Sequence, residues 1–339
     1  MPPSTDPSLA PVRWGILATG SIAKTFARGL AADPLARLVA VGSRNAAGAA
    51  AFAKEFGCRA HASYAALCAD PEVDVIYVAS PHTGHREHAL QAIASGKAVL
   101  IEKPFAVNEE QSREIIAAAR RQGVFCMEAM WSRFLPTHRQ LAEWIAAGAI
   151  GEVRLVTADF GFRCNGDPAS RLMDPALAGG ALLDVGVYTI ALAWSVFGRA
   201  PATIAASATL GSTGVDEQMA MTLGWSNGAL ANLTCAVRTN TRHDAFIYGT
   251  AGRIELPDFW HGTKAILQRD GQPMQTLDLP FVGNGYTHEA MEVGRCLRAG
   301  LRESPIVPLD ESLAIMRVMD ECRRQVGLVY PLERAAAAH

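Results

Sequence analysis

A lysine set between a glutamate and a proline, Glu102-Lys103-Pro104, closes the apolar run Ala98-Val99-Leu100-Ile101. An ammonium at the end of a strand can hold a substrate oxygen and favour the charged form of a neighbouring acid. The following proline restricts the backbone of Lys103 and admits a cis bond. Taken alone, such a tripeptide is an ordinary surface turn. Further along, Asp184 and Tyr188 stand four residues apart, a spacing that shares one face of a helix. A tyrosine has an ordinary pKa of about 10 and needs a nearby positive charge to serve as a base at neutral pH. Lys103 could supply that charge if the fold brings the two together, and Asp184 could orient a substrate hydroxyl or the lysine. The plain alternative makes Asp184 a helix cap and Tyr188 a core aromatic.

A second constellation lies near the start, Gly15-Ile16-Leu17-Ala18-Thr19-Gly20-Ser21-Ile22-Ala23. It departs from GxGxxG, with Ala18 for the first glycine and Ala23 for the last. Its place between a strand and a helix still suits a phosphate loop, in which Thr19, Gly20, Ser21 and Ile22 would offer backbone N–H groups to a pyrophosphate. Gly42-Ser43-Arg44-Asn45 follows the second apolar run. No carboxylate stands there to hold a ribose 2′-hydroxyl, whereas Ser43 and Arg44 could hold a 2′-phosphate. NADP is therefore favoured and NAD stays open, the alternative for Arg44 being a solvated side chain. His82, His85 and His88 raise a metal site, but zinc needs three or four converging ligands. Cofactor contacts or helix capping suit them better, and no metal is expected.

The elements that must position these groups change style along the chain. Up to residue 128, continuous apolar strands (12–18, 35–42, 74–79, 98–101 and one beginning at 124) alternate with helical patterns (21–32, 46–56, 84–95 and one capped by Asn108 that runs to 122). That alternation predicts an α/β domain with a doubly wound parallel sheet. After a helix over 137–146 and a strand over 153–160, a helix over 180–196 precedes short runs at 202–210, 218–225, 229–237, 246–249 and 253–256. Closely spaced strands of this kind predict an α+β domain with a large, mostly antiparallel sheet. Helical patterns at 288–299 and 310–326 close the chain. The predicted domains are 1–128 and 129–339, with 310–326 a candidate to pack back on the first.

At 339 residues, half of them hydrophobic and 19% charged, the chain can bury two cores. A formal net charge of −2 gives no electrostatic case for nucleic acid or an anionic membrane. The apolar stretch 179–198 is interrupted by Asp184 and polar residues, so a buried helix is expected rather than a membrane span. Seven cysteines without a CxxC pair argue for a reducing, cytoplasmic location. Residues 1–11 read as a frayed arm without a signal pattern, and the alanine-rich end as a disordered tail.

The sequence resembles the glucose–fructose oxidoreductase/inositol dehydrogenase (Gfo/Idh/MocA) family over nearly its whole length. The resemblance rests on the loop at Gly20-Ser21-Ile22-Ala23, on Ala79-Ser80-Pro81-His82-Thr83-Gly84-His85, on Glu102-Lys103-Pro104 and on Gly179-Gly180-Ala181-Leu182-Leu183-Asp184-Val185-Gly186-Val187-Tyr188. Within the family, Glu128-Ala129-Met130-Trp131-Ser132-Arg133-Phe134 and Tyr188, where many members carry histidine, look closest to the branch of dihydrodiol and NADP-dependent D-xylose dehydrogenases. The resemblance implies a Rossmann domain and an open-faced sheet domain with the active site between them, and homodimerisation through the open sheet. It further implies that Lys103 sits beside the nicotinamide, that Ser80, Pro81 and His82 line the cofactor cleft, and that Glu102 lies near the ribose. Trp131 and Arg154 are implied as an aromatic wall and a polar contact for a sugar, polyol or diol, with domain packing and a solvated strand charge as alternatives. A non-catalytic dinucleotide-binding regulator and a keto-sugar reductase remain competing readings.

Overall fold

The computed structural model describes residues 9–336, so most of the expected N-terminal arm and the end of the alanine-rich tail lie outside the described residues. The chain divides into two units, one formed by Met1–Phe134 with Phe281–Leu313, the other by Leu135–Pro280 with Ala314–His339.

The first unit carries β1 (Val12–Leu17), α1 (Ser21–Leu30), β2 (Ala36–Gly42), α2 (Ala46–Phe56), β3 (Arg59–His61), α3 (Tyr64–Cys68), β4 (Val75–Val78), α4 (His85–Ala94), β5 (Ala98–Glu102), α5 (Glu109–Gln122) and β6 (Cys126–Ala129). Its six strands pair in the order β3-β2-β1-β4-β5-β6, every pair parallel. The helices begin and end where side chains satisfy their free backbone groups. Asn45 accepts from the Gly48 amide and Asn108 from the Gln111 amide, while Gly57 and Gly123 end α2 and α5 in the left-handed region. The strand order reverses between β1 and β4, and at such a switch point the loops at the strand carboxyl ends form a ligand crevice.

The second unit contains α6 (Pro136–Ala146), β7 (Val153–Gly161), α7 (Val187–Phe197) and β8 to β14 (Thr203–Leu210, Asp216–Gly224, Leu230–Ala236, Ala245–Gly249, Gly252–Leu256, Lys264–Arg269 and Gln275–Asp278). The eight strands pair as β14-β13-β12-β11-β7-β10-β9-β8, antiparallel throughout except β7 with β10. β13 and β14 were not anticipated, since β14 is almost wholly exposed and shows no apolar alternation to announce it. Ala181–Ala193 are all buried, as expected for the apolar run. The predicted regular helix over 180–196 instead opens with a π turn, Leu182–Gly186, before α7.

The chain then continues through α8 (Thr287–Arg298), α9 (Leu309–Val326) and α10 (Pro331–Ala336). The predicted unbroken second domain, 129–339, is corrected here. Ala290, Val293, Cys296 and Val307 join Trp14, Phe26 and Tyr77 in one core, so Phe281–Leu313 groups with the first unit. Helical periodicity exposes an apolar face but does not say which sheet will cover it. Of the 310–326 helix, only the residues up to Leu313 group with the first unit.

Candidate active site

The phosphate loop follows directly from β1. Ala18, standing where the first glycine would, adopts a left-handed φ of 87°, a conformation that costs a non-glycine residue roughly 1–2 kcal/mol. Gly20 caps α1 without any side-chain hydrogen bond, and a Cβ placed on it would meet nothing within 4 Å. Open space in front of an uncapped helix N-terminus is what a diphosphate needs. Thr19 and Ile22 are half-buried and Ser21 is exposed at the first position of α1. Buried Ala23 packs into the core, where the last glycine of the motif would serve the same close approach.

Beyond β2, Ser43 is buried and its hydroxyl accepts from the Asn45 amide at 3.1 Å. Arg44 is exposed. Burial, opposed by Glu87 and aided by the charge of Arg44, holds the His88 ring below the usual imidazole range. Its Nδ1 is 2.9 Å from the Ser80 hydroxyl. Pro81 is exposed and His82 buried at the start of the single turn His82–Gly84.

His85 differs from the cofactor contact expected of it. The ring is fully buried, with Nδ1 2.9 Å from the Pro104 carbonyl and Nε2 2.9 Å from the Ser80 carbonyl. Burial pulls it down to about 4, so at neutral pH it has one proton to donate and neither nitrogen is directed at a ligand. It ties the loop after β4 to the turn after β5. Among the described residues, no three histidine, cysteine or carboxylate groups converge as a metal site.

Lys103 is half-buried at the carboxyl end of β5, and the Lys103–Pro104 bond is cis. Its amide donates to Oε2 of Glu102 at 3.1 Å, and the Tyr77 hydroxyl donates to Oε1 of the same carboxylate. One residue past the proline, the Phe105 amide donates to Glu128 Oε1 at 2.9 Å. Trp131 is buried in the same unit and stacks on Tyr286, ring centroids 4.4 Å apart. Glu289 is fully buried nearby in sequence, and burial, with Glu102 adding to it, pushes its carboxyl well above the usual range.

In the second unit, Tyr188 lies among aromatic rings: Phe160 at 5.3 Å and Trp260 at 6.2 Å between centroids, with Trp260 stacked on Phe160 at 4.7 Å and His243 4.8 Å from Phe160. Asp184 is buried and accepts from Arg171 at 2.9 Å. A π turn closes i to i+5, so the i, i+4 alignment argued for Asp184 and Tyr188 from a regular helix is offset here. Arg154 is set apart from this group. It is exposed and pairs with Glu152 at 3.2 Å, six residues before Phe160 on β7, or roughly 20 Å at ~3.3 Å per strand residue. Phe160, Arg171, His243 and Trp260 went unnoticed in the sequence because strand register and a loop bring them to Tyr188 and Asp184, and no local spacing marks them.

Asp216 anchors the start of this helical segment. Its fully buried Oδ2 accepts from the Leu182 amide at 2.7 Å, and Gly180, at φ 119°, leaves no room for a Cβ beside its Oδ1. Burial pushes Asp216 and Glu128 each up to about 7. Both values exceed those of an unfolded chain, near 4. Below about pH 4 the two groups are protonated in both states and their contribution is intact; as pH rises toward 7 the unfolded chain ionises first and stability is lost. Asp70, drawn down to about 2 against the burial that opposes it by Arg59 and its other hydrogen-bond partners, acts only below about pH 4. The depressed His85 acts in the opposite sense between about pH 4 and 6.5, so the test is a difference: relative to the wild type, Asp216→Asn is expected to gain urea midpoint as pH rises from about 4.5 to 7.5. A difference between the two proteins that is independent of pH across this window would contradict the burial argument.

A family model described as an oxidoreductase family with an NAD-binding Rossmann fold (GFO_IDH_MocA) matches residues 12–130, and a GFO/IDH/MocA C-terminal domain matches residues 138–255. The chain is 38% identical over 332 residues to the trans-1,2-dihydrobenzene-1,2-diol dehydrogenase of Mus musculus, covering 95% of this chain and 99% of that one. It is 40% identical over 329 residues to the protein of that name in Danio rerio, covering 94% and 98%. Among solved structures, an aldose-aldose oxidoreductase from Caulobacter crescentus complexed with glycerol is similar with TM-score 0.86 and 26% identity, over 94% of this chain and 98% of that one. A 3-ketoreductase from Actinomadura kijaniata, solved with NADP and TDP-benzene, follows with TM-score 0.83 and 26% identity, over 93% and 98%.

Proposed function

The chain belongs to the Gfo/Idh/MocA oxidoreductase family, and from that premise we propose that it transfers a hydride between NADP and the hydroxyl-bearing carbon of a sugar, polyol or trans-dihydrodiol. It is an NAD(P)-dependent dehydrogenase. The observation that carries the hydride-transfer reading is a single sheet that presents both an uncapped helix N-terminus at Gly20 and a lysine at the end of β5. The first suits a diphosphate and the second a substrate oxygen. Open space at Gly20 fits a dinucleotide. Thr19, Gly20, Ser21 and Ile22 would hold its diphosphate, Ser43 and Arg44 the ribose end, and Ser80, Pro81, His82 and Glu102 the nicotinamide side. When bound, the nicotinamide supplies the hydride acceptor. In the first unit Lys103 would assist proton transfer at the substrate hydroxyl and Trp131 offer a flat apolar face; in the second unit Tyr188 is the proposed base and Asp184 the orienting group, the rings around Tyr188 offering further flat apolar faces.

Purified protein with NADP or NAD and a panel of pentoses, hexoses, inositols and trans-1,2-dihydrobenzene-1,2-diol tests this through absorbance of the reduced cofactor. Cofactor binding without turnover on any member, in either direction, would overturn it.

The second unit's sheet turns Ala205, Ser207, Ala220, Thr222, Asn232 and Thr234 outward, all exposed, with Leu230 44% exposed beside them. Small side chains on a broad sheet face suit close approach by an identical face, and a homodimer through this surface is part of the proposal. Light scattering reads it directly, a monomer at micromolar concentration being the contrary result. The seven free cysteines agree with a cytoplasmic location.

A further inference from the structure

β4 and β6 flank β5 in the first sheet, and each sends one side chain to the turn that carries Lys103. On one side Tyr77, paired in register with Leu100, donates its hydroxyl to Glu102, whose other carboxylate oxygen accepts from the Lys103 amide at 3.1 Å. On the other side Glu128, opposite Ile101, reaches past the strand end to accept the Phe105 amide at 2.9 Å. Pro104 has no N–H, so these two amides are the donors that bracket it. Tyr77 is fully buried, and Glu128 and Glu102 are 1% and 6% exposed, so water does not replace either acceptor cheaply. An ionisable group placed in a core at such cost, when an apolar residue would pack as well, points to a positional duty. From this arrangement we infer that Tyr77 and Glu128 are positioning residues, which clamp the Glu102–Phe105 turn from both sides and thereby set the place of Lys103. The inference rests on the proposed role of Lys103 in proton transfer. A misplacement of about 1 Å in a reacting group can cost on the order of a hundredfold in rate.

Glu128→Leu removes the acceptor and leaves the Phe105 amide buried and unpaired. Turnover of trans-1,2-dihydrobenzene-1,2-diol with NADP is expected to fall about ten- to a hundredfold, in kcat more than in KM. Glu128→Gln keeps an acceptor oxygen at the same place and is expected to recover most of that loss. Tyr77→Phe removes one hydroxyl only and serves if Glu128→Leu does not fold; a fall in kcat of several-fold is expected. If the clamp acts through Lys103, neither substitution should deepen the defect of Lys103→Met, whereas purely structural damage would add to it. Amide exchange of the 102–105 segment, followed by mass spectrometry on the full-length protein, gives a readout independent of catalysis. Faster exchange confined to that segment in both variants supports the clamp. Folded variants with wild-type kcat, full additivity with Lys103→Met, or unchanged exchange would overturn it. Full activity of Lys103→Met itself would instead overturn the premise, and is read separately.

Discussion

Lys103→Met is expected to lower kcat by about 10²–10⁴-fold while leaving the dissociation constant of NADP nearly unchanged. Methionine keeps an unbranched side chain of similar reach and removes only the ammonium. The turn itself should persist, because it is held through backbone groups: the amide of residue 103 on Glu102, the Phe105 amide on Glu128, and the Pro104 carbonyl beside His85. A defect in turnover therefore reports the charge. A residue that serves the reaction only in its transition state lowers kcat and kcat/KM together, whereas a residue that merely binds raises KM with kcat preserved. Stopped-flow measurement of a single turnover with saturating cofactor separates the two. Turnover at the wild-type rate would remove Lys103 from the chemistry altogether.

Elements with local signals at both ends were legible from the sequence. The helix over 46–56 is observed with those bounds because Asn45 caps its start and Gly57 ends it. Asn108 and Gly123 did the same for α5. The parallel sheet followed from continuous apolar strands, of which β4 and β5 are buried along their whole length. What escaped depends on contacts between distant segments. Nothing local in 281–313 says that Ala290 and Val293 will meet Phe26 and Tyr77. Arg171 lies in a loop with no pattern of its own, yet it holds Asp184. Trp260 and Phe160 look like ordinary aromatic residues until strand pairing brings them beside Tyr188. Glu128 was visible as a motif letter, but its work emerges only from the register that places it opposite Ile101. Arg154 shows the converse: the resemblance implied a substrate contact, and the strand sets it six residues, or roughly 20 Å, from Phe160.

Tyr188→Phe is expected to leave folding almost untouched and to reduce kcat by about 10²–10⁴-fold. Phenylalanine preserves the ring that packs against Phe160 and Trp260, so the thermal midpoint should move little. The diagnostic result lies in the pH profile. A general base must be deprotonated in the free enzyme, so kcat/KM for alcohol oxidation rises with pH up to the base's pKa and then levels. A tyrosine used at neutral pH must titrate below its ordinary value of about 10, which requires a positive charge close by in the working enzyme. The rising limb should therefore disappear in Tyr188→Phe. Asp184→Asn supplies the control. Asp184 is already paired with Arg171, and its loss should disturb KM and orientation while the limb stays. A limb retained by Tyr188→Phe but lost in Asp184→Asn would transfer the base from the tyrosine to the aspartate.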